Sequence, residues 1–348
     1  MHKICHFTSV HKPFDVRIFL KEGCSLAHDG YDVTLIAPSQ REIAPKNGVS
    51  FVTVPEPAHR RDRFLNTDFQ VLKTVVQSDC QLFHFHDPEL IFVGFLLKML
   101  GRKVVYDVHE DYSASFQADD RQYIPSRLRN LFPRLLGFLE YIAERVFDGI
   151  VAATPAIAAK FLPHKTALVQ NYPILDEFQR PATTAYNDRP YDVAYVGGIT
   201  KNRGLFEMVA AMDLVAPARP STLQLAGKFI SEELYRQIST ASGWQHVSFH
   251  GMVSRDGVAN LYNNVRVGLV LFHPQKNHIA SQPNKLFEYL SAGLPVIASN
   301  FPGWEKFLGE NGCGLVVDPL SPEAIAAAIT WMFDHPDYIE DYKKWDMD

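Results

Sequence analysis

Short apolar runs of strand length alternate with runs of helical spacing almost from one end of this chain to the other. Parallel strands need a long crossover between them, usually a helix, so the alternation predicts an α/β fold of parallel sheets covered by helices. Lys3 to Phe7 reads as a buried strand, Ile18 to Asp29 has helical spacing and stops at Gly30, and Tyr31 to Ala37 is the next strand. Gln81 to Phe85 is another, followed by Asp87 as a helix cap, Pro88 at the first helical position and Gly101 as the stop. Strands at Lys103 to Val108 and Gly149 to Ala153 follow, with Pro155 opening a helix behind Thr154.

The pattern lapses in the proline-containing stretch Asn171 to Pro190, which reads as a linker. It restarts with strands at Asp192 to Val196, Thr222 to Ala226, Val247 to His250, Val267 to Phe272, Val296 to Ser299 and Gly314 to Val317. The expected division is therefore residues 1–170, a linker at 171–190, a second domain at 191–335 and a tail at 336–348. With 348 residues, 47% of them hydrophobic, each domain can have its own core.

Composition removes several function classes. A net charge of −5 without lysine or arginine runs argues against a nucleic-acid partner. Cys5, Cys24, Cys80 and Cys313 are scattered without a CxxC pair, so neither a disulfide framework nor a zinc site is expected. MHKICHFTSV lacks a signal-peptide pattern, and the longest apolar stretch, Leu90 to Leu97, falls short of the ~20 residues of a spanning helix. A cytoplasmic location is the expectation.

SQPNKLFEYLSAGLPVIASNFPG, Ser281 to Gly303, carries the strongest chemical signal. Ser281 or Gln282 can cap a helix with Pro283 in its first turn, and Gly293 ends it. Leu286, Phe287 and Leu290 form an apolar stripe on it; Asn284, Lys285 and Glu288 share another face. Free N–H groups at a helix start can receive a diphosphate, and a carboxylate one turn in can accept from ribose hydroxyls. Spacing alone leaves a surface pair between Lys285 and Glu288 equally open. YVGGITKNRG, Tyr195 to Gly204, runs a strand into Gly197 and Gly198 with Lys201 and Arg203 nearby, either a phosphate cradle or a plain turn. Lys228 follows the next strand. HGMVSRDGVANLY places Met252 and Val253 in a further strand-to-helix turn.

HFHDPEL and VVYDVHEDY put His84, His86, Asp87, Asp107, His109, Glu110 and Asp111 at two strand ends. No HExxH or similar ligand spacing occurs, so no metal is expected. His84 and His86 alternate on one strand face, where hydrogen bonding inside the sheet is the simpler role. Asp15 in SVHKPFDVRIFLKE can orient a ligand hydroxyl or cap the following helix. IPSRLRNLFPRLLGFLEYIAERVF mixes Arg127, Arg129, Arg134 and Arg145 with apolar residues, a face suited to anionic lipid or to solvent beside a core.

The Ser281 to Gly303 segment, with PGWEKFLGENGCGLVVDPLSPEAIAAAI, resembles the signature of family 4 retaining glycosyltransferases of the GT-B fold group, and the likeness runs over nearly the whole chain. It implies two facing Rossmann-like domains with an interdomain cleft, a nucleotide-sugar donor (a UDP-sugar by family habit), a saccharide or lipid-linked acceptor, and retaining, metal-independent transfer. It implies that Glu288 contacts the donor ribose, that Arg203 and the Gly197-Gly198 turn hold phosphate, that Met252 and Val253 line the base pocket and that His109 lies at the transfer site. The sequence departs at Ala280, where the family has a first glutamate, leaving sugar recognition to His278, Ser281 or backbone amides. It departs again near Gly198, where the family has an arginine, with Lys228 as the expected replacement. Asp15 and Arg17 are similar to a pattern in a subset of the family. The tail ending YKKWDMD is shorter than the family's closing helix. A nucleotide-sugar epimerase and a non-catalytic partner subunit are the alternatives.

Overall fold

The computed structural model describes residues 2–59, 62–110, 126–178 and 186–336. The chain divides into two compact units, Met1–Asn171 and Tyr172–Asp348. The described parts of 172–190 belong to the second unit: Phe178, Tyr186 and Arg189 are buried, and Tyr172 meets the Phe287 ring edge-on.

The first unit holds seven parallel strands: β1 (Lys3–Phe7), β2 (Asp32–Pro38), β3 (Val49–Val54), β4 (Leu82–Phe85), β5 (Lys103–Val108), β6 (Gly149–Ala152) and β7 (Thr166–Leu168), in the order β3-β2-β1-β4-β5-β6-β7. The second holds six: β8 (Val193–Val196), β9 (Leu223–Ala226), β10 (Val247–Gly251), β11 (Val267–Val270), β12 (Val296–Ser299) and β13 (Gly314–Val317), in the order β10-β9-β8-β11-β12-β13. Central strands such as β9, β11 and β12 are buried along their whole length, as strands covered on both faces must be. β3 and β7 escaped the sequence pattern. β3 alternates with exposed residues at the sheet edge, and β7 has three residues, two of them exposed.

In each unit the order reverses once, between β1 and β4 and between β8 and β11. The segments leaving these pairs diverge to opposite faces of the sheet and leave a crevice at the carboxyl ends of the strands. Thr8 and His86 emerge at the first crevice, Gly197 and Leu271 at the second.

One expected helix start shifts, and another keeps its place without the cap bond. The helix Asn284–Ser291 begins after Pro283 with no side-chain cap, because the Ser281 hydroxyl donates instead to the His278 carbonyl at 2.8 Å. Asp87 precedes the turn Pro88–Leu90 without capping it, because its carboxylate is drawn to Thr8 and Ser9. Asp15 does cap its helix, Val16–Gly23, accepting from the N–H groups of Arg17 and Ile18.

At the β8 and β9 ends two glycines meet. Gly197 has φ 138° and Gly227 φ 142°, and a Cβ on Gly227 would fall 1.8 Å from the Gly197 carbonyl oxygen. Gly227→Ala is therefore expected to destabilise the protein by about 2 kcal/mol or more and to displace the Gly197 turn. Urea unfolding checks the first effect, and a crystal structure of the variant the second.

Candidate active site

In the first unit the crevice is lined by a buried polar network. Arg17 reaches from its helix to β5, donating through Nε and Nη2 to the Asp107 carboxylate at 3.0 and 2.8 Å and through Nη1 to the Val169 carbonyl at 2.9 Å. Asp107 is fully buried and also accepts from His86 Nδ1 at 3.0 Å. His86 Nε2 shares a proton with His6 Nδ1 at 3.0 Å, and the ring of His84 stacks 4.8 Å from that of His86. Burial pushes the Asp107 carboxyl up, but His109, His86 and Arg17 outweigh it and hold it well below the usual carboxylate range. Burial keeps His6 neutral, its value lowered to about 3, with His86 adding to the effect.

His109 follows β5 with Nδ1 3.6 Å from Asp107 and Nε2 without a hydrogen-bond partner among the described residues. Burial lowers it to about 4 despite Asp107, so near neutral pH it is an uncharged imidazole with Nε2 free. Its ring lies 5.3 Å from that of His11, which the sequence reading passed over. His11 sits between Asp15 at 3.3 Å and Asp87 at 3.4 Å. Burial would discharge it, but the two carboxylates and Glu110 prevail and raise it. Asp15, lowered to about 2, is pushed up by burial and more strongly down by His11 and the two capping N–H groups. Both Asp15 oxygens are thus engaged, one by the cap and one by His11. Asp111 lies outside the described residues.

Two groups, His6-Glu22-His84-His86 and His86-Asp107-His109, bring possible metal-ligand atoms within 4.8 Å of one another. Imidazole and carboxylate suit a first-row divalent ion. Arg17, however, stands 3.0 Å from Glu22 and 2.8 Å from Asp107, so each carboxylate already faces a guanidinium.

In the second unit the Gly197-Gly198 turn is pinned by Gly197 N–H donating to the Ala226 carbonyl at 2.9 Å and the Tyr195 hydroxyl to the Gly198 carbonyl at 2.8 Å. Arg203 Nη1 donates to Gly198 oxygen at 3.4 Å, with its guanidinium 5.4 Å from the Phe272 ring centroid. Lys285 departs from the expected exposed face. It is 8% exposed, with Nζ 3.7 Å above the Tyr195 ring and 2.9 Å from where a Cβ on Gly197 would stand. Lys228 is exposed and lines a separate pocket of about 450 Å³ with Phe229, Tyr235 and Phe249. Beside the turn the structure thus brings Arg203 together with Lys285.

Glu288 pairs with neither lysine nor solvent. Arg255 Nη1 donates to it at 2.9 Å and the Tyr262 hydroxyl at 3.3 Å, while Arg255 Nη2 binds Glu177 at 2.5 Å. Arg255, the first residue of the helix Arg255–Asn264, was not singled out from sequence; its partners lie 33 and 78 residues away. Met252 is exposed, Val253 packs against the core, and Asn284 is half-buried at the start of its helix. Ala280 is exposed at the end of the short helix Lys276–Ile279; His278 Nδ1 donates to the His273 carbonyl at 3.1 Å.

Two parallel sheets with crevices at the reversals of strand order are the architecture of GT-B glycosyltransferases, and solved structures share it. Sucrose-phosphate synthase from Thermosynechococcus elongatus superposes with a TM-score of 0.73 at 17% identity, over 99% of this chain and 92% of that one. Anabaena Alr3699/HepE in complex with UDP-glucose gives 0.72 at 15% identity, over 98% and 92%. A family model described as "Glycosyltransferase Family 4" matches residues 23–167, and one described as "Glycosyl transferases group 1" matches residues 190–335. The D-rhamnosyltransferase WbpZ of Pseudomonas aeruginosa is 26% identical over 286 residues, 78% of this chain and 68% of its own length. The chain belongs to this glycosyltransferase family and is an enzyme of that class.

The network around Asp107 sets an acid limit on stability. His6 and His109 are neutral when folded and free to protonate at about pH 6.5 when unfolded, so the unfolded chain binds more protons below that pH. Stability is expected to fall as pH drops from about 6.5 toward 4, and His109→Gln should flatten that slope in thermal unfolding. Asp107→Asn, which takes the two-point carboxylate from the buried Arg17 and leaves only Glu22 beside it, should cost about 3 kcal/mol by urea unfolding.

Proposed function

We propose that the enzyme moves a sugar from a nucleoside diphosphate sugar to a saccharide or lipid-linked saccharide acceptor in cell-surface polysaccharide synthesis, with retention and without metal. The observation that carries this reading is the pair of basic side chains, the Arg203 guanidinium and the Lys285 amine, flanking the Gly197-Gly198 turn at the reversal of strand order. Charge growing on a departing diphosphate can be stabilised there by fixed cations and backbone N–H groups. Glu288 would receive the ribose hydroxyls by exchanging part of its bond to Arg255, with Asn284 at the helix start and Met252 and Val253 toward the base. Lys228 would assist from the β9 end. A uridine nucleotide is favoured because Anabaena HepE, a structural neighbour, is described in complex with UDP-glucose.

On the acceptor side, His109 offers a neutral Nε2 to a sugar hydroxyl, and Asp15 acts by holding His11, made more basic by its carboxylate neighbours, beside it. The first unit also presents a face suited to an anionic bilayer. Leu131, Leu135, Phe138 and Tyr141 are exposed on the helix Ser126–Val146, beside Arg134 and Arg145. The adjoining helix Ile91–Met99 exposes Phe92, Leu96 and Met99. Apolar side chains ringed by arginine match the acyl boundary and headgroups of anionic lipid. The side chains of Arg127 and Arg129 lie outside the described residues. No described helix is long and apolar enough to cross a membrane.

A donor panel of UDP- and GDP-sugars, assayed for nucleotide release with and without saccharide acceptors, tests the reading. Release that depends on acceptor supports it, whereas an altered donor sugar without acceptor would indicate epimerisation. Arg203→Ala and Glu288→Ala should each weaken UDP binding about tenfold to a hundredfold, as loss of a charge-assisted hydrogen bond does. Unchanged binding in both would displace the site. Flotation with phosphatidylglycerol vesicles should carry the wild type, and Leu135→Ser with Phe138→Ser should release it.

A further inference from the structure

Lys285 lies in the buried face of the helix Asn284–Ser291, and its Nζ makes no hydrogen bond to a described residue. Four groups face it. Tyr195, from β8, turns its ring to the amine; its own hydroxyl, pushed up to about 12 by burial, is committed to the Gly198 carbonyl. Phe272, after β11, has its ring centroid 5.5 Å from Nζ. Arg203, in the turn after Thr200, is a second positive charge on the same Phe272 ring. Glu288, three residues along the helix, is held by Arg255 and Tyr262 rather than by the lysine.

A buried amine beside a guanidinium, with the neighbouring carboxylate already paired, is disfavoured as a cation even above an aromatic face. Burial first and Arg203 second lower Lys285 well below the usual lysine value, with Glu288 acting weakly the other way. A dianionic group against Gly197 reverses that balance, because the amine stands 2.9 Å from the space a Cβ would take there.

Resting on the reading of the Gly197-Gly198 turn as the diphosphate site, we propose that a bound diphosphate protonates Lys285, so that nucleotide capture takes up one proton and weakens as the solution becomes alkaline. The proton comes from solvent or buffer onto the amine lone pair, and no bond of the nucleotide breaks. Lys285 then supplies the second cation at the turn, and it does so only when the anion is present. Glycine at 197 is part of the arrangement, since a side chain there would occupy the space between amine and anion.

Calorimetry of UDP binding at pH 8, in two buffers of different ionisation enthalpy, reads the protons directly; at that pH the diphosphate, with a last ionisation near ~6, is already fully charged. The wild type should take up close to one proton per UDP, with Kd rising about tenfold per pH unit between the empty and loaded values of the amine. Lys285→Arg, charged throughout, should bind UDP without proton uptake, and Lys285→Met should bind more weakly, also without uptake. If Lys285→Met does not fold, the wild type and Lys285→Arg alone decide the matter. UDP bound by the wild type with no proton uptake overturns the coupling while leaving the diphosphate site intact, and uptake persisting in either variant assigns the proton elsewhere and overturns it as well. Failure of the wild type to bind either UDP or GDP overturns the diphosphate site and this inference together.

Discussion

Parallel strands cannot be joined by hairpins, so every connection in these two sheets must cross a face, and the faces exchange where the strand order reverses. The reversals between β1 and β4 and between β8 and β11 open a crevice in each unit at the strand ends. The chemically interesting side chains are delivered there because that is where the backbone is free of the ladder. Thr8, His86 and His109 emerge in one unit, and Gly197, Gly227 and Phe272 in the other.

The two crevices handle charge in opposite ways. In the first unit the buried carboxylate of Asp107 is answered by Arg17 and His86, which makes the network rigid, while burial leaves His109 neutral. Removing one member of such a set strands the others, so its role is to fix geometry more than to add stability. In the second unit Arg203 and Lys285 stand side by side with no carboxylate between them, and Glu288 is turned away toward Arg255. An unanswered pair of bases beside a glycine turn is a site prepared for an anion.

Periodicity reads burial, and the strands β1, β5, β12 and β13 stand where their apolar runs predicted, because strands covered on both faces are continuous in sequence. β3 and β7 lack that signature, being edge strands with exposed residues. Asp87 stands at the cap position its sequence predicts but makes no cap bond, because its carboxylate bonds instead to Thr8 and Ser9, 79 and 78 residues away in the neighbouring strand's exit loop. His11 and Arg255 carried no local motif at all. Asp15 lies near His11 in sequence, but Asp87 and the two glutamates of Arg255 are brought in by tertiary packing, which the sequence does not display.

The sequence by itself determined the two-sheet architecture, the glycine turn at Gly197-Gly198, the helix carrying Glu288 and the placing of His109 at a strand end, since each follows from local spacing and backbone freedom. Only the tertiary structure decided which charges meet. Helical spacing put Lys285 and Glu288 on one surface, but the width of the gap beside Gly197 and the rings of Tyr195 and Phe272 draw the lysine inward, while Arg255 takes the glutamate. A side chain as long as lysine's chooses its partners from whatever the neighbouring strands bring within reach, and that choice is made only when the sheet has formed.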